Sequence, residues 1–317
     1  MRIYFIKRLL AVIPTLIIAS LIVFFVIRMV PGDIIDLMIA QHDVSDLEVS
    51  RATIEHALGL DTPIYVQYFK WVKGIVFHGD LGRSLWKDTT VVQEIIHRVP
   101  VTFELGIIAI IIGLLISLPV GIFSAIRQDT IGDYAGRTVA ILGLAIPGFW
   151  LGTMIVVYPA VWWGWSPPID LIPFVEDPIA NLKTFLIPAS VLGFALAGVT
   201  MRMTRAMMLE VLRQDYIRTA WAKGLKERVV IVRHALKNAL IPVVTIIGLQ
   251  IPILVGGTVV IEQIFTLPGM GLLMLEAIVQ RDYPIVTGVM LFIGLVVLLV
   301  NVLIDMSYGI LDPKVRY

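Results

Sequence analysis

Residues 102–126 read TFELGIIAIIIGLLISLPVGIFSAI, with Glu104 as the one charged side chain among them. A helix needs about 20 apolar residues to cross about 30 Å of hydrocarbon, so this stretch is long enough to span a membrane. Similar windows recur at residues 9–30, 138–158, 184–202, 239–263 and 285–308. The sequence therefore predicts an all-α integral membrane protein with six transmembrane helices and both termini on one side.

The composition agrees with a membrane protein and excludes several kinds of chemistry. The 317 residues are 58% hydrophobic and 15% charged, against about 25% charged in soluble domains. No cysteine is present, which removes disulfides, thiolate catalysis and cysteine metal sites from consideration. The net charge of +1 averages the two faces of a membrane protein, and we expect no nucleic-acid partner.

Lysine and arginine are distributed unevenly between the two sets of connecting segments. The two tails, residues 127–137 and residues 202–237 carry sixteen of them, whereas the longer opposite loops carry eight. Basic residues in short loops stay in the cytoplasm. We therefore expect the N and C termini in the cytoplasm.

Three regions follow from this arrangement. Residues 1–30 form the N-terminal tail and first span, residues 31–101 a small helical subdomain outside, and residues 102–317 the core with a large inner loop at residues 203–238. Three pairs mark helix starts in the outer subdomain: Ser45 with Glu48, Thr62 with Pro63, and Thr90 with Gln93. The spans also contain many glycines and prolines, which favour either close helix packing or hinges beside a path.

The inner loop has an unusual pattern. Residues 215–242 read DYIRTAWAKGLKERVVIVRHALKNALIP. Ile217, Ala220 and Trp221 share one face of a short helix, and Gly224 interrupts it. A second helix is predicted from about Glu227, with an apolar stripe formed by Val229, Val232, Leu236 and Leu240. Periodicity alone leaves two interpretations open: a protrusion that docks in a groove of another protein, or a helix on the membrane surface.

Ordered motifs along the whole chain resemble one family, the permease subunits of bacterial ABC importers in the dipeptide, oligopeptide and nickel group. The inner loop shows RTAWAKGL at residues 218–225 and HALKNALIPVV at residues 234–244. The other motifs are IKRLLAVIPTL (6–16), MVPGD (29–33), LGLDTP (58–63), GDLGRS (79–84), IPGFWLG (146–152), GGTVVIEQIFTLPGMG (256–271), RDYP (281–284) and LDPKVRY (311–317). The order resembles that of the first of the two paired permeases, of the dipeptide-permease-B type.

The resemblance implies a type I ABC importer permease fold in the bacterial inner membrane. It implies a coupling helix that docks on a cytoplasmic ATPase, formed by Asp215, Tyr216, Arg218, Thr219, Ala220, Lys223, Gly224 and Leu225. Arg218 stands where the general importer motif has Glu, which leaves open which ATPase residue it meets. We expect Gly224 to be the most important of these residues, because a bend there needs either a positive φ or a close approach of the backbone to a neighbouring group.

The implied partners are a second homologous permease, two ABC ATPases, and a periplasmic or lipid-anchored solute-binding protein that docks on the outer loops. The chain has no Gly-x-x-x-x-Gly-Lys-Ser/Thr motif, so we expect ATP and Mg²⁺ to be bound by the ATPases and no cofactor by this chain. We therefore expect a permease without catalytic residues or metal ligands, not an enzyme. The substrate class is di- or oligopeptides, with nickel chelates, glutathione or oligosaccharides as alternatives.

A path for such solutes is expected to be lightly polar. Thr245, Gln250 and Thr258 on the fifth span suit this lining, and Glu262 lies near its outer end. Arg28, Glu104, Glu262 and Asp305 are the ionisable residues in or beside spans, and structural pairing is favoured over substrate contact for all four. A secondary carrier would need several such groups at mid-membrane together with inverted repeats, and neither is detected.

Overall fold

The structure is a computed structural model that describes residues 2–29, 61–168 and 170–311. Helices account for most of these residues, and short loops connect them. In chain order the helices are α1 (Arg2–Arg28), α2 (Ile64–His78), α3 (Val91–Ile126), α4 (Ile131–Ala145), α5 (Gly148–Trp163), α6 (Pro178–Leu212), α7 (Asp215–Ala222), α8 (Glu227–Val229), a π-helix (Val230–Leu236), α9 (Lys237–Ile264), α10 (Met270–Val279) and α11 (Tyr283–Leu311).

The apolar helices are long enough to cross a membrane. Among the described residues, five helices meet the length and hydropathy that spanning requires, and a bent pair, α4 with α5, makes a sixth if it counts as one span. The prediction of an all-helical membrane protein is confirmed. Several helices extend well beyond the predicted windows, most of all α3 with 36 residues and α6 with 35.

The span predicted at residues 138–158 is not one continuous helix. Here α4 and α5 meet at an angle of 92° across Ile146 and Pro147. Proline disfavours helical geometry in the residue before it, and Ile146 accordingly has an extended backbone with φ −80° and ψ 119°. The IPG motif, which starts at Ile146, therefore ends one helix and begins another.

Two of the three predicted helix starts lie in the described part of the chain. Thr90 and Gln93 form the expected capping box, with the Thr90 amide donating to Gln93 Oε1 (3.0 Å) and the Gln93 amide to Thr90 Oγ1 (3.2 Å). The helix they open is not separate, because it continues as α3 into the membrane. The second begins at Ile64, and Pro63 precedes it as the cap residue, one position later than predicted. The pair Ser45 and Glu48 lies outside the described residues.

The chain divides into two compact units. The first comprises the described part of Met1–Phe5, Pro100–Leu272 and Leu299–Tyr317. Its core is apolar, with Leu105 and Phe185 fully buried and Ile261 and Phe265 nearly so. It contains α4 to α9 and the larger part of α3, and so it holds most of the residues that the sequence marks as functional.

The second unit comprises the described part of Ile6–Val99 and Leu273–Leu298. In it α2 packs on α1 through Tyr68, whose ring lies 5.3 Å from that of Phe24 and whose hydroxyl lies 2.9 Å from Ser20 Oγ. Arg28 stacks over the Phe24 ring at 3.6 Å and donates to Gln67 Oε1 at 3.3 Å. Arg28 is therefore held by neutral groups of α1 and α2.

Candidate functional site

The short helix α7 is held against the first unit by one face only. Ile217 is fully buried and Ala220 nearly so, packed in a cluster with Met208 at the end of α6 and Val230 of the π-helix. The predicted third member of this face, Trp221, is 45% exposed. The buried stripe of α7 is thus narrower than the sequence indicated, and most of the helix surface is free.

The exposed face of α7 carries the residues expected to meet a partner. Asp215, Tyr216, Arg218, Thr219, Lys223, Gly224 and Leu225 are all exposed, and Ala220 alone of the predicted set is buried. Arg218 Nη1 lies 3.2 Å from Asp215 Oδ1. This ion pair is exposed and screened by water, so it contributes little to stability. Tyr216, Trp221 and Leu225 add exposed apolar surface beside these charges. We call these residues, 215–225, the coupling segment.

Gly224 ends α7 in a Schellman motif. Its φ is +74°, in the left-handed region, so the glycine has the positive φ that the sequence analysis offered as one explanation for it. Its amide donates to the Trp221 carbonyl at 2.9 Å, and the Leu225 amide donates to the Ala220 carbonyl at 3.4 Å. A Cβ at this position would meet nothing within 4 Å. A larger residue here would therefore be disfavoured by backbone strain and not by a clash.

The predicted apolar stripe on the second helix is wrong at Val229 and Val232, whereas Leu236 packs against the buried cluster as predicted. A helix begins at Glu227 as expected, but residues 230–236 are π-helical, with hydrogen bonds five residues apart. This wider turn shifts the buried positions to Val230, Ala235, Ala239 and Val243, whereas Val229 and Val232 are exposed. The segment then continues without a break into α9, so it forms the entry to the fifth predicted span.

Two polar contacts join the coupling segment and its flank to the helices beside them. Asn238 Nδ2 donates to the Tyr216 hydroxyl at 2.8 Å, which links α7 to the first turn of α9. Arg127, just after α3, lies 3.8 Å from Glu227. Both contacts are exposed, and together with the buried apolar cluster they connect α7 to three longer helices.

The four residues expected along a translocation path lie on α9, and three of them are buried. Gln250 donates to Thr200 Oγ1 of α6 at 3.0 Å, Thr258 is 1% exposed, and Glu262 is fully buried. Thr245 is partly exposed and donates to the Ile241 carbonyl at 3.3 Å. The role of these four residues in a path stays a prediction.

Glu262 is the most completely bonded of the four. Its carboxylate accepts hydrogen bonds from the hydroxyls of Thr102 (2.7 Å) and Thr258, and from the amides of Gly271 and Leu272 (2.9 Å to the latter). The two amides belong to the first turn of α10, where the helix dipole favours negative charge. The favoured structural role of Glu262 is therefore to hold the start of α10.

Asp282 and Ser84 connect two motifs that the sequence analysis noted separately. Asp282, of the RDYP motif, accepts from Ser84 Oγ of the GDLGRS motif and from the Leu85 amide at 3.2 Å. Trp86 Nε1 donates to the Gln280 carbonyl at 2.7 Å. Asp282 is 3% exposed, and its burial raises the pKa of its carboxyl. Each motif is visible in the sequence, but nothing local indicates that residues 198 positions apart are bonded.

Two family models together match most of the chain. Residues 117–317 match the model of the family described as binding-protein-dependent transport system inner membrane component, and residues 1–106 match that of its N-terminal region. The chain belongs to this family. It is thus a multi-pass permease of the bacterial inner membrane and a component of ABC transport systems.

Relatives match the permease over nearly its full length. It is 37% identical over 337 residues to the dipeptide transport system permease protein of Escherichia coli (strain K12), covering 99% of this chain and 98% of the relative. It is 40% identical to the oligopeptide transport system permease protein of Bacillus subtilis (strain 168), with complete coverage of both. A solved methionine ABC transporter in an inward-facing conformation aligns with a TM-score of 0.57 at 16% identity, over 70% of this chain and 98% of the other, which shows the shared fold.

Proposed function

We propose that this permease is one of two homologous membrane subunits of an ATP-driven importer that moves di- or oligopeptides inward by alternating access. Two cytoplasmic ABC ATPases bind and hydrolyse ATP with Mg²⁺, and a solute-binding protein delivers the peptide outside. The peptide substrate is supported by the names of relatives that match over nearly the whole chain. The excess of basic residues in the two tails and in residues 202–237 supports a cytoplasmic location for both termini and the coupling segment.

The observation that carries the mechanism is the one-sided attachment of α7. A helix whose buried face is fixed to long membrane helices, and whose opposite face carries exposed polar and aromatic residues, is suited to bind in a groove of another protein. The π-helix and α9 follow directly, and α6 precedes directly. Movement of α7 by a closing ATPase dimer would therefore be passed to both neighbouring spans.

The lipid-surface alternative for this segment is less well supported. A helix that lies in the membrane interface buries a broad apolar face in lipid. The apolar residues on the buried face of α7, Ile217 and Ala220, are covered by the protein itself. The exposed face mixes Arg218 and Lys223 with Tyr216 and Trp221, which is typical of a protein contact surface, because aromatic residues and arginine are enriched there.

The outer loops are proposed to receive the solute-binding protein. In the second unit, the Ser84–Asp282 contact holds residues 79–90 against residues 280–285. Arg83 and Asp88 remain exposed on this surface, with 73% and 98% of their side chains accessible. A firmly bonded loop pair with exposed charges provides an ordered surface for a protein partner.

The function is tested by transport in proteoliposomes. The permease is purified together with its second permease and ATPases, reconstituted, and supplied with binding protein and a radiolabelled dipeptide. ATP-dependent uptake that a non-hydrolysable analogue does not support would establish the proposal. Uptake driven by a proton gradient without ATP would contradict it and favour a secondary carrier. Competition with unlabelled glutathione, a nickel chelate and an oligosaccharide tests the substrate class.

A further inference from the structure

A buried carboxylate near the start of α4 has a bonding pattern that the proposed function does not yet use. Asp133 is completely buried. Arg205 binds it with two hydrogen bonds, from Nε to Oδ1 and from Nη2 to Oδ2, each 2.9 Å long. The Ser124 hydroxyl donates to Oδ1, and the Asp129 amide donates to Oδ2 at 3.1 Å. Arg137, one turn later on the same helix, also lies 3.4 Å from Oδ1, so both carboxylate oxygens are fully occupied within the protein.

These partners come from three different helices of the first unit. Ser124 lies on α3, Asp133 on α4 and Arg205 on α6. Arg205 also donates to Ser124 Oγ at 3.2 Å, which closes the triangle. At 1.5 Å per residue, Arg205 lies about 10 Å along α6 from its last residue, Leu212, and α7 begins at Asp215. The cluster therefore joins the helix that leads into the coupling segment to two helices that do not.

An ion pair of this kind has its main effect on geometry. A buried pair gains little net stability over apolar residues of similar size, because both charges lose their hydration. A two-point contact between guanidinium and carboxylate nevertheless fixes the relative orientation of the two side chains. Asp133 and Arg205 therefore fix the orientation of α4 relative to α6.

Close backbone packing continues the same contact along these helices. A Cβ on Gly121 of α3 would lie 2.9 Å from the Met201 carbonyl of α6, and one on Gly198 of α6 would lie 2.7 Å from the Ala140 carbonyl of α4. One on Gly113 of α3 would lie 3.1 Å from the Gly193 carbonyl of α6. Helices this close have little room to slide past one another. The Asp133 contacts fix α3, α4 and α6 relative to one another at the ends that lie next to the coupling segment.

We propose that Asp133 and Arg205 are a positioning pair that makes α3, α4 and α6 follow α7 as one rigid body when the ATPases move it. This inference rests on the proposed function, since it needs a partner that displaces α7. Neither residue touches the solute. The pair converts a displacement of one short helix into a displacement of several spans.

The first test measures ATP hydrolysed per peptide imported in proteoliposomes. Asp133→Asn removes the charge at nearly constant volume, and Arg205→Lys keeps a cation but loses the two-point contact. The matched control is Arg202→Gln, because Arg202 is an exposed arginine on the same helix, one turn earlier. We expect both pair variants to raise the ratio severalfold while hydrolysis continues, and the control to match wild type.

The outcomes separate this inference from the proposed function. If wild type itself shows no ATP-dependent uptake, the proposed function is wrong. If wild type imports peptide and the assembled variants keep the wild-type ratio, the positioning role is wrong. A loss of assembled complex with an unchanged ratio per complex indicates a purely structural pair and also counts against the inference. If Asp133→Asn fails to assemble, the ratio of Arg205→Lys decides.

The second test measures the distance between α4 and α6, which a change in stability alone would not alter. The chain has no cysteine, so two can be added without background, at the exposed positions Ile131 of α4 and Glu210 of α6. Spin labels there are expected to keep the same separation with and without trapped ATP in wild type, and to change separation in Asp133→Asn. A wild-type change of about one helical turn, about 5 Å, would overturn the rigid-body proposal.

Discussion

Asn238 donates a hydrogen bond to the Tyr216 hydroxyl across 2.8 Å, and so joins the exposed helix α7 to the first turn of α9. The two residues are 22 positions apart, with the Gly224 bend and the π-helix between them. The hydrogen bond therefore joins the two ends of the segment 216–238 to each other. A displacement of α7 is therefore passed to α9, the fifth predicted span, by this hydrogen bond as well as through the connecting backbone.

Removing this bond is expected to weaken coupling without preventing assembly. A hydrogen bond of this type contributes about 0.5–1.5 kcal/mol, so Tyr216→Phe and Asn238→Ala should each lower ATP-driven uptake about twofold to tenfold. Both variants remove this bond, and Asn238→Ala also removes the bond from Asn238 Nδ2 to the His234 carbonyl, so the double variant should be no worse than Asn238→Ala. Tyr65→Phe, at an exposed tyrosine of α2, is the control. Fully additive losses would show that the two residues act independently.

Glu262→Gln is expected to destabilise the permease. The carboxylate accepts from two hydroxyls and two amides, and the glutamine NH₂ group would face one of these donors. An unsatisfied buried group costs about 1–3 kcal/mol, so the melting temperature of the detergent-solubilised protein should fall. Gln263→Glu is the matched control, since Gln263 is exposed and adjacent. Equal melting temperatures for wild type and Glu262→Gln would refute the structural role.

The hydrogen bond between Gln250 and Thr200 predicts that stability lost in either single variant is partly recovered in the double variant. Both side chains are buried, and their bond is 3.0 Å long. Gln250→Met or Thr200→Val alone leaves one polar group without this partner, whereas the double variant replaces both by apolar groups of similar shape. We expect each single variant to melt at a lower temperature and the double variant to recover part of the loss. No recovery would mean that the bond is not maintained in the membrane.

Asp282 predicts a pH dependence of stability. Burial raises the pKa of its carboxyl above the ordinary value of 3.8, so the folded protein binds this proton more tightly than the unfolded chain does. The resulting stabilisation is present in full below the ordinary value and is lost as the pH rises through the raised pKa. The melting temperature of wild type, relative to that of Asp282→Asn, should therefore fall as the pH rises.

The measurement is a series of thermal melts at pH values that start near the ordinary carboxyl value and rise in steps. Asp88→Asn is the control for removing an acidic side chain, because Asp88 is almost completely exposed. A difference between wild type and Asp282→Asn that stays constant with pH would show that the buried carboxyl does not titrate as its position implies.

The sequence predicted the features of this permease that depend on composition and local pattern. The apolar windows located the membrane helices, the Thr90 and Gln93 box marked the true start of α3, and Gly224 marked the end of α7. Each of these follows from residues within one or two helical turns. The coupling segment was found because its polar pattern stands between two apolar runs.

What the sequence did not predict depends on tertiary packing. The π-helix at residues 230–236 moves the buried stripe from Val229 and Val232 to Val230 and Ala235, and the residues themselves do not specify it. Asp133 was missed although Thr130 caps its amide, a local signal that marks a helix start. Its bond to Arg205, 72 residues away, has no local signal at all. The same is true of Ser84 with Asp282.

Gly224 offers the sharpest test of whether the coupling segment passes the movement of the ATPases to the membrane helices. Peptide-stimulated ATP hydrolysis and uptake are measured in proteoliposomes for wild type, Gly224→Trp and Gly164→Trp, with assembly checked by copurification. Gly164 is a matched control, because it ends α5 with φ +64° and is equally open, so the backbone strain of about 1–2 kcal/mol is the same. We predict that assembled Gly224→Trp loses stimulated hydrolysis and uptake together while Gly164→Trp keeps both. If assembled Gly224→Trp retains both activities, the coupling segment does not transmit the movement.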